Sequence, residues 1–520
     1  MAQTLYLELH PVDGEWFELR WRLGNQRGFE SRKLRLEHIQ PLLEHGEIYY
    51  YSVQPDLLDV GRKLYRWLDG DDRWLERAIK DCKASPLVLA IDVAENLSHL
   101  PWESLHDGKD FLAGRVSRKL VPVRWLRESW QAKPPSPQRF SLLFMAASPD
   151  NVSPVLNFEQ EEAAMLTAMR DLPSEWRVEE SGCVAELGKL WHRHGVDRFH
   201  VFHLTGHAGH GTEGPVFLTE TDTGQRQDCS AEDLFTAFHN RLPRLVFLSG
   251  CRTGEAQGDA VSMAEQLARL GVPAVLGWGR PVGDRSATQA AAVLYSNLAA
   301  GDTLALALAE TYRHLLHEAK ASDWHLLRLY AVDGAWGALV EPPGDAPPNP
   351  EPPQHQFLDP EGYRVRVATP EQFVGRRRAL QRCLRELRNP QRSGVLLHGL
   401  GGVGKSSLAA RLLERLAGYT PLVLYGVVDA AGIERALAAQ CTEPRGHDIL
   451  NEKLPDAQRW AKFLKLGLNE PKQLFCFVLD DFEHNLDLDD GKAKLKQEAV
   501  EPLRDLLRAL RQSGLAHRLI

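Results

Sequence analysis

The chain has 520 residues, too many for one ordinary domain, so two or three are expected. Hydrophobic residues make up 43% and charged residues 25%, a globular balance, and the net charge of −8 offers no basic excess for neutralising nucleic-acid phosphates. No apolar run approaches the roughly 18–20 residues that cross a bilayer, and the acidic start MAQTLYLELHPVDGEW lacks the basic, then apolar, pattern of a secretory signal.

The first 135 residues read as a mixed α/β part. The alternating segments LYLELH and WFELRWRL predict strands, Asp56 to Cys82 predicts helix, and PLVLAID (Pro86–Asp92) predicts a buried strand. KPPSP (Lys133–Pro137) is a mild proline punctuation. From 136 to 340, strands and helices alternate. Phe140–Ser148 is a strand, Phe158–Leu172 a helix, WRVEES a strand and Val184–His194 a helix. Arg198–Gly206 is a strand, Ala231–Leu242 a helix, and Arg244–Gly250 and Val272–Trp278 are strands. This alternation predicts an α/β fold with a mostly parallel sheet flanked by helices, whose functional residues gather beyond the carboxyl ends of the strands. EPPGDAPPNPEPPQ (Glu341–Gln354) is too proline-rich and too poor in hydrophobes to pack. It predicts a linker over 341–356, followed by a second α/β domain over 357–520.

Two strand ends carry reactive side chains. HLTGHAGHG (His203–Gly211) holds three histidines, and Cys251 follows RLVFLSG, 44 residues after His207. A thiol becomes a nucleophile near neutral pH when an imidazole takes its proton. Glycines beside both residues allow a sharp turn and close approach of backbone N–H groups to a reacting carbonyl. The seven cysteines are scattered without a CxxC, which fits a reducing, cytoplasmic setting and a free thiol. HxxxH converges on one face of a helix, whereas this segment reads as strand and loop, so no zinc site is expected. His203 and His200 read as packed structural side chains.

These segments, HLTGHA, LVFLSGCRTGEA and the run from VPAVLGWGRPVGDRS to ALAL, preceded by LPWESL (Leu100–Leu105), together resemble the CHAT domain, over roughly Pro86 to Leu339. That family contains caspase-like cysteine peptidases related to separase. The resemblance implies a caspase-like fold, a His–Cys dyad and peptide hydrolysis through an acyl-enzyme. Carried over by motif, Cys251 is the nucleophile and His207 the base, with backbone N–H groups near Ala208 and at Cys251 as oxyanion donors. The catalytic histidine of the family is commonly followed by glycine. Here Ala208 follows His207, while His210–Gly211 keeps the pair, so His210 stays open as the alternative base. Related peptidases that cut after a basic residue hold it with an acidic side chain. Asp284 is the candidate for that P1 pocket, with the alternative that it caps the helix starting at Arg285 or Ser286.

GLGGVGKS (Gly399–Ser406) fits G-x-x-x-x-G-K-[ST] between an apolar strand, GVLLHG, and a helix. The amides of Gly399, Gly401, Gly402 and Gly404, with Lys405, Ser406 and Ser407, are the expected cradle for ATP or ADP with Mg²⁺. Asp480 and Asp481, ending QLFCFVLDDFE, are the expected Walker B carboxylates, and Glu483 a group to polarise water. This part resembles STAND-type signal-transduction ATPases over roughly Phe373–Ile520. FVGRRRAL places Arg376 in the segment that meets the adenine-ribose side. The resemblance implies nucleotide binding, with hydrolysis open, and self-association of the full-length protein through this module. It also implies that SGLAHRLI leads into a strand at which the NTPase is left incomplete. The joint expectation is a cytoplasmic cysteine endopeptidase acting on protein or peptide, regulated by the nucleotide module, in bacterial defence or cell-death signalling by family analogy. The competing expectation is a non-catalytic CHAT adaptor on a nucleotide switch. Neither a membrane nor a nucleic acid is expected as partner.

Overall fold

The computed structural model describes the chain apart from residues 1–2, 14, 25, 27, 45–55, 83–84, 94, 129, 155, 157, 196, 213, 251–261, 281, 345–355, 359–364, 370–372, 374, 442, 468–472 and 490–491. The candidate nucleophile Cys251 and most of the proline-rich linker therefore lie outside the described residues. The chain divides into two compact units, Met1–Pro352 and Pro353–Ile520.

The first unit is built on one sheet, with thirteen strands among the described residues. Its strands begin with β1 (Gln3–Pro11), β2 (Trp16–Leu23) and β3 (Glu30–Arg35), an antiparallel edge. The stretch expected to be helical from Asp56 to Cys82 forms two helices, α1 (Leu57–Asp69) and α2 (Trp74–Asp81). Gly70 at φ 59° and Arg73 at φ 50° turn the chain between them, a left-handed backbone that ends a helix. There follow β4 (Leu87–Val93), β5 (Leu120–Leu126), β6 (Phe140–Ala146), α3 (Phe158–Met169), β7 (Ser174–Glu179) and α4 (Val184–Arg193). Next come β8 (Val201–His210), β9 (Pro215–Glu220), β10 (Arg226–Cys229), α5 (Ala231–Ala237), β11 (Leu245–Gly250) and α6 (Met263–Arg269). The unit is completed by β12 (Ala274–Trp278), α7 (Asp284–Ala299), α8 (Leu304–Arg313) and β13 (Leu327–Val332).

The central order is β8-β11-β12-β13-β5-β4-β1, parallel except at β12–β13. β5 pairs with β13, so the first 135 residues and the following part share one sheet. Both faces are covered. Leu87, Leu89 and Ile91 of β4 enter one apolar cluster while Val88 and Ala90 enter another, the alternation a pleated strand imposes. The KPPSP punctuation ends inside the fold: Ser136 is buried and exchanges backbone hydrogen bonds with Leu339 and Glu341.

The strand expected to end at Gly206 runs on to His210. Its first half pairs in parallel with β6 and β11, and from His207 it gains a new antiparallel partner in β9, His207 standing opposite Leu218. That long-range pairing is what extends it. The helix from Ala231 stops at Ala237, and His239 and Asn240 take positive φ just beyond.

In the second unit α9 (Arg377–Arg388) precedes the glycine loop and α10 (Lys405–Arg415) follows it. β14 (Tyr419–Tyr425), β15 (Leu474–Asp480) and β16 (Arg518–Leu519) form a parallel sheet, with α11 (Ala430–Ala438), α12 (Asp456–Leu466) and α13 (Gln497–Gln512) between its strands. GVLLHG joins it through a single bridge, Gly394 to Leu519, rather than as a full strand; Leu396 beyond the bridge is 80% exposed.

Candidate active site

β8 and β11 lie side by side, and their register sets the site. Thr205 pairs with Ser249 and Gly206 with Gly250, after which the chain reaches His207 on one strand and, in sequence, Cys251 after the other. The glycine rung is required by packing. A Cβ on Gly206 would stand 2.7 Å from Phe217 Cε1 and from the Ala147 carbonyl oxygen, and one on Gly250 2.6 Å from Phe217 Cε2. The Phe217 ring thus covers the rung on one face.

His207 is half-buried, and its Nε2 stands 2.7 Å from the carbonyl oxygen of Pro154. A carbonyl only accepts, so Nε2 carries a proton, and in the neutral ring the lone pair is then on Nδ1. Pro154 has no signal in the sequence as a functional residue; it is brought in by the fold from 53 positions away. Ala208 sits on β8 opposite Phe217. His210 is exposed at the end of β8, opposite Pro215. It lies three positions from His207, an odd step along a strand, so the two point to opposite faces. His203, an even step back from His207, shares its face and is fully buried. Its Nδ1 is 2.7 Å from Tyr295 Oη, and its Nε2 is 3.2 Å from Glu161 Oε1 without the alignment of a full hydrogen bond. Burial, with Glu161 adding to it, pushes the Tyr295 phenol well above its ordinary value, so it stays a donor. Asp284 is exposed and is the first residue of α7; Gly283, not Asp284, occupies the cap position.

LPWESL forms a tight turn at Trp102–Ser104. Glu103 and Arg124 of β5, both buried, pair through two contacts of 2.5 and 3.3 Å, and Arg124 also donates to the Ser98 and Leu100 carbonyls.

In the second unit the glycine loop runs into the N-terminus of α10. Gly399, Gly402 and Gly404 have φ of 149°, 75° and 84°, and a Cβ on Gly401, Gly402 or Gly404 would meet open space. The angles call for glycine, while the open space leaves the loop amides reachable. Lys405 Nζ donates to the Gly399 and Leu400 carbonyls, each at 3.2 Å. Ser406 Oγ donates to Asp480 Oδ1 at 2.9 Å. Burial pushes the Asp480 carboxyl up, and the Ser406 hydrogen bond opposes it. Ser407 Oγ accepts from the Ala368 amide at 3.0 Å, and Arg376 donates to the Val403 carbonyl. Asp481, at φ 53°, and Glu483 are exposed at the end of β15. A cavity of about 400 Å³ opens beside Lys405, Asp480, Asp481 and Glu483.

The family profile described as the CHAT domain matches residues 58–467, well over half of the chain and more than the stretch from Pro86 to Leu339. No curated protein matches. Among solved structures, the chain is similar to two crystal structures of the Saccharomyces cerevisiae separase–securin complex. One has 12% identity and a TM-score of 0.35, over 64% of this chain and 30% of that one. The other has 15% identity and a TM-score of 0.29, over 59% and 20%. The chain therefore spans less than a third of either matched separase chain.

Proposed function

The chain belongs to the CHAT-domain family, and from that premise we propose that its first unit is a cysteine endopeptidase with Cys251 as nucleophile and His207 as base. The observation that carries this reading is the His207–Pro154 hydrogen bond, which leaves Nδ1 as the proton-accepting nitrogen of a half-buried imidazole beside the β11 end. In the proposed reaction Nδ1 takes the Cys251 proton as the sulfur adds to the scissile carbonyl. Backbone N–H groups near Ala208 and at Cys251 receive the developing oxyanion. Protonated His207 then passes its proton to the leaving amine, and water, deprotonated by the same nitrogen, releases the acid from the thioester.

The second unit, in this proposal, binds ATP or ADP with Mg²⁺. The donor set fits: a hydroxyl and a carboxylate already in contact at Ser406 and Asp480, an ammonium at Lys405, and reachable loop amides at a helix N-terminus. Bound Mg²⁺–nucleotide would supply a phosphate chain whose charge the loop and Lys405 neutralise. Its exchange would set the assembly state of the protein and so license proteolysis.

The test is covalent labelling of Cys251 in the full chain by a peptidyl electrophile. Labelling is expected in the wild type and in His210→Ala, with at least a hundredfold loss of rate in His207→Ala. Equal labelling of wild type and His207→Ala overturns the dyad. No labelling of the wild type, with or without nucleotide, favours a non-catalytic adaptor, to which Ala208 in place of glycine also points.

A further inference from the structure

We propose that Glu161 is a positioning residue for the His207–Cys251 pair, its carboxylate fixing the relative placement of the two strand ends that deliver them. The inference rests on the thiol–imidazole reading above. Glu161 stands in the first turn of α3 and is 5% exposed. Its Oε2 accepts from Thr205 Oγ1 at 2.7 Å and its Oε1 from Ser249 Oγ at 3.1 Å. Thr205 and Ser249 are register partners, so one carboxylate spans a single rung of the β8–β11 ladder. Thr205 Oγ1 also reaches the Ser249 carbonyl at 3.3 Å, closing the triangle.

His203 approaches the same carboxylate from two residues back on β8. An ionised carboxylate only accepts. Tyr295 donating to Nδ1 leaves the His203 proton on Nε2, the nitrogen facing Glu161. Donors from β8 and β11 thus converge on one oxygen pair, with α7 behind them through Tyr295.

The rung above explains why a carboxyl group is kept at such a place. Burying a carboxylate is costly, and apolar replacement is often neutral for stability. But Gly206 and Gly250 have no side chains with which to hold register. The Thr205–Ser249 rung is the last at which side chains can set the spacing of the strands before His207 and Cys251. Directional hydrogen bonds fix that spacing, and an apolar contact would let it slide.

The experiment follows alkylation of Cys251 by iodoacetamide against pH in the full chain, read by mass spectrometry of the peptide containing residue 251. The variants are Glu161→Gln and, with the carboxylate intact, Thr205→Val/Ser249→Ala. Melting temperatures report folding. Both are expected to slow alkylation at pH 7 at least tenfold and to move its midpoint up toward about 8.5, that of an unassisted thiol. A folded variant of either kind with wild-type rate and midpoint overturns the proposal. Should Glu161→Gln fail to fold, the double variant decides. His207→Ala separates the two readings. If its midpoint equals that of the wild type, the dyad itself fails; if only His207→Ala shifts, Glu161 alone is wrong.

Discussion

A buried imidazole that accepts a backbone hydrogen bond cannot take up a second proton without losing it. His200, fully buried, accepts at Nδ1 from the Ser141 amide at 3.1 Å. Burial first, and then Arg244, lower it from 6.5 to about 4. The unfolded chain therefore binds this proton more readily than the folded one. The stabilisation is complete above pH 6.5 and is lost as pH falls toward 4, by roughly 3 kcal/mol at most. The melting temperature of the first unit is expected to decline between pH 6.5 and 5, and to decline less in His200→Gln. Parallel curves for the two proteins would contradict the assignment. Pro154 and Glu161 belong to the same scale but to a different kind of knowledge. Neither was legible in the sequence, because their contacts to His207 and Thr205 span 53 and 44 positions and leave no local pattern. His207 and His210 were open in the sequence as alternative bases, and strand alternation sets them on opposite faces of β8.

At the scale of elements, a buried ion pair, Glu103 with Arg124, ties the Trp102–Ser104 turn to β5. Removing one partner of a buried pair leaves a charge without compensation and costs about 3–5 kcal/mol. Glu103→Ala, which leaves Arg124 in β5 with two carbonyls and the Tyr330 ring but no carboxylate, is expected to destabilise the first unit by that amount in denaturant unfolding. A loss under 1 kcal/mol would mean that the Ser98 and Leu100 carbonyls suffice. The strands β6, β8 and β11 could be read from apolar runs because both of their faces are buried. The extension of β8 to His210 could not, since polar glycine–histidine sequence becomes strand there only through β9. The opposite error arose at GVLLHG. Its apolar content predicts a full strand, yet Gly394 alone bridges Leu519 and the side chain of Leu396 stands in solvent. Composition registers burial potential; pairing decides whether a strand forms.

At the scale of the molecule, two units invite two independent readouts. Ligand bound only to the native state stabilises it by about 2.7 kcal/mol at a hundredfold excess over Kd. Mg²⁺–ATP is expected to raise the melting temperature of the second unit by several degrees in the full chain. Lys405→Ala should abolish the shift and leave the transition of the first unit in place. An undiminished shift in Lys405→Ala would remove the phosphate role of that lysine. Cys251 labelling reports on coupling, because labelling that ignores nucleotide in the wild type would leave the units functionally separate. The sheet topology carries its own lesson here. The boundary at 135 suggested by the KPPSP punctuation falls within a continuous sheet, because β5 pairs in parallel with β13 and Ser136 is bound to Leu339.

The oxygen that orients His207 belongs to the main chain of residue 154. Every amino acid carries that oxygen, so no single codon change can delete it. Conservation of residue type at 154 would therefore be a poor witness to its role, and an alanine scan would pass over it. Only the length and path of the loop between β6 and α3 can withdraw it. Among related sequences, insertions or deletions in that loop are where such an imidazole would be released.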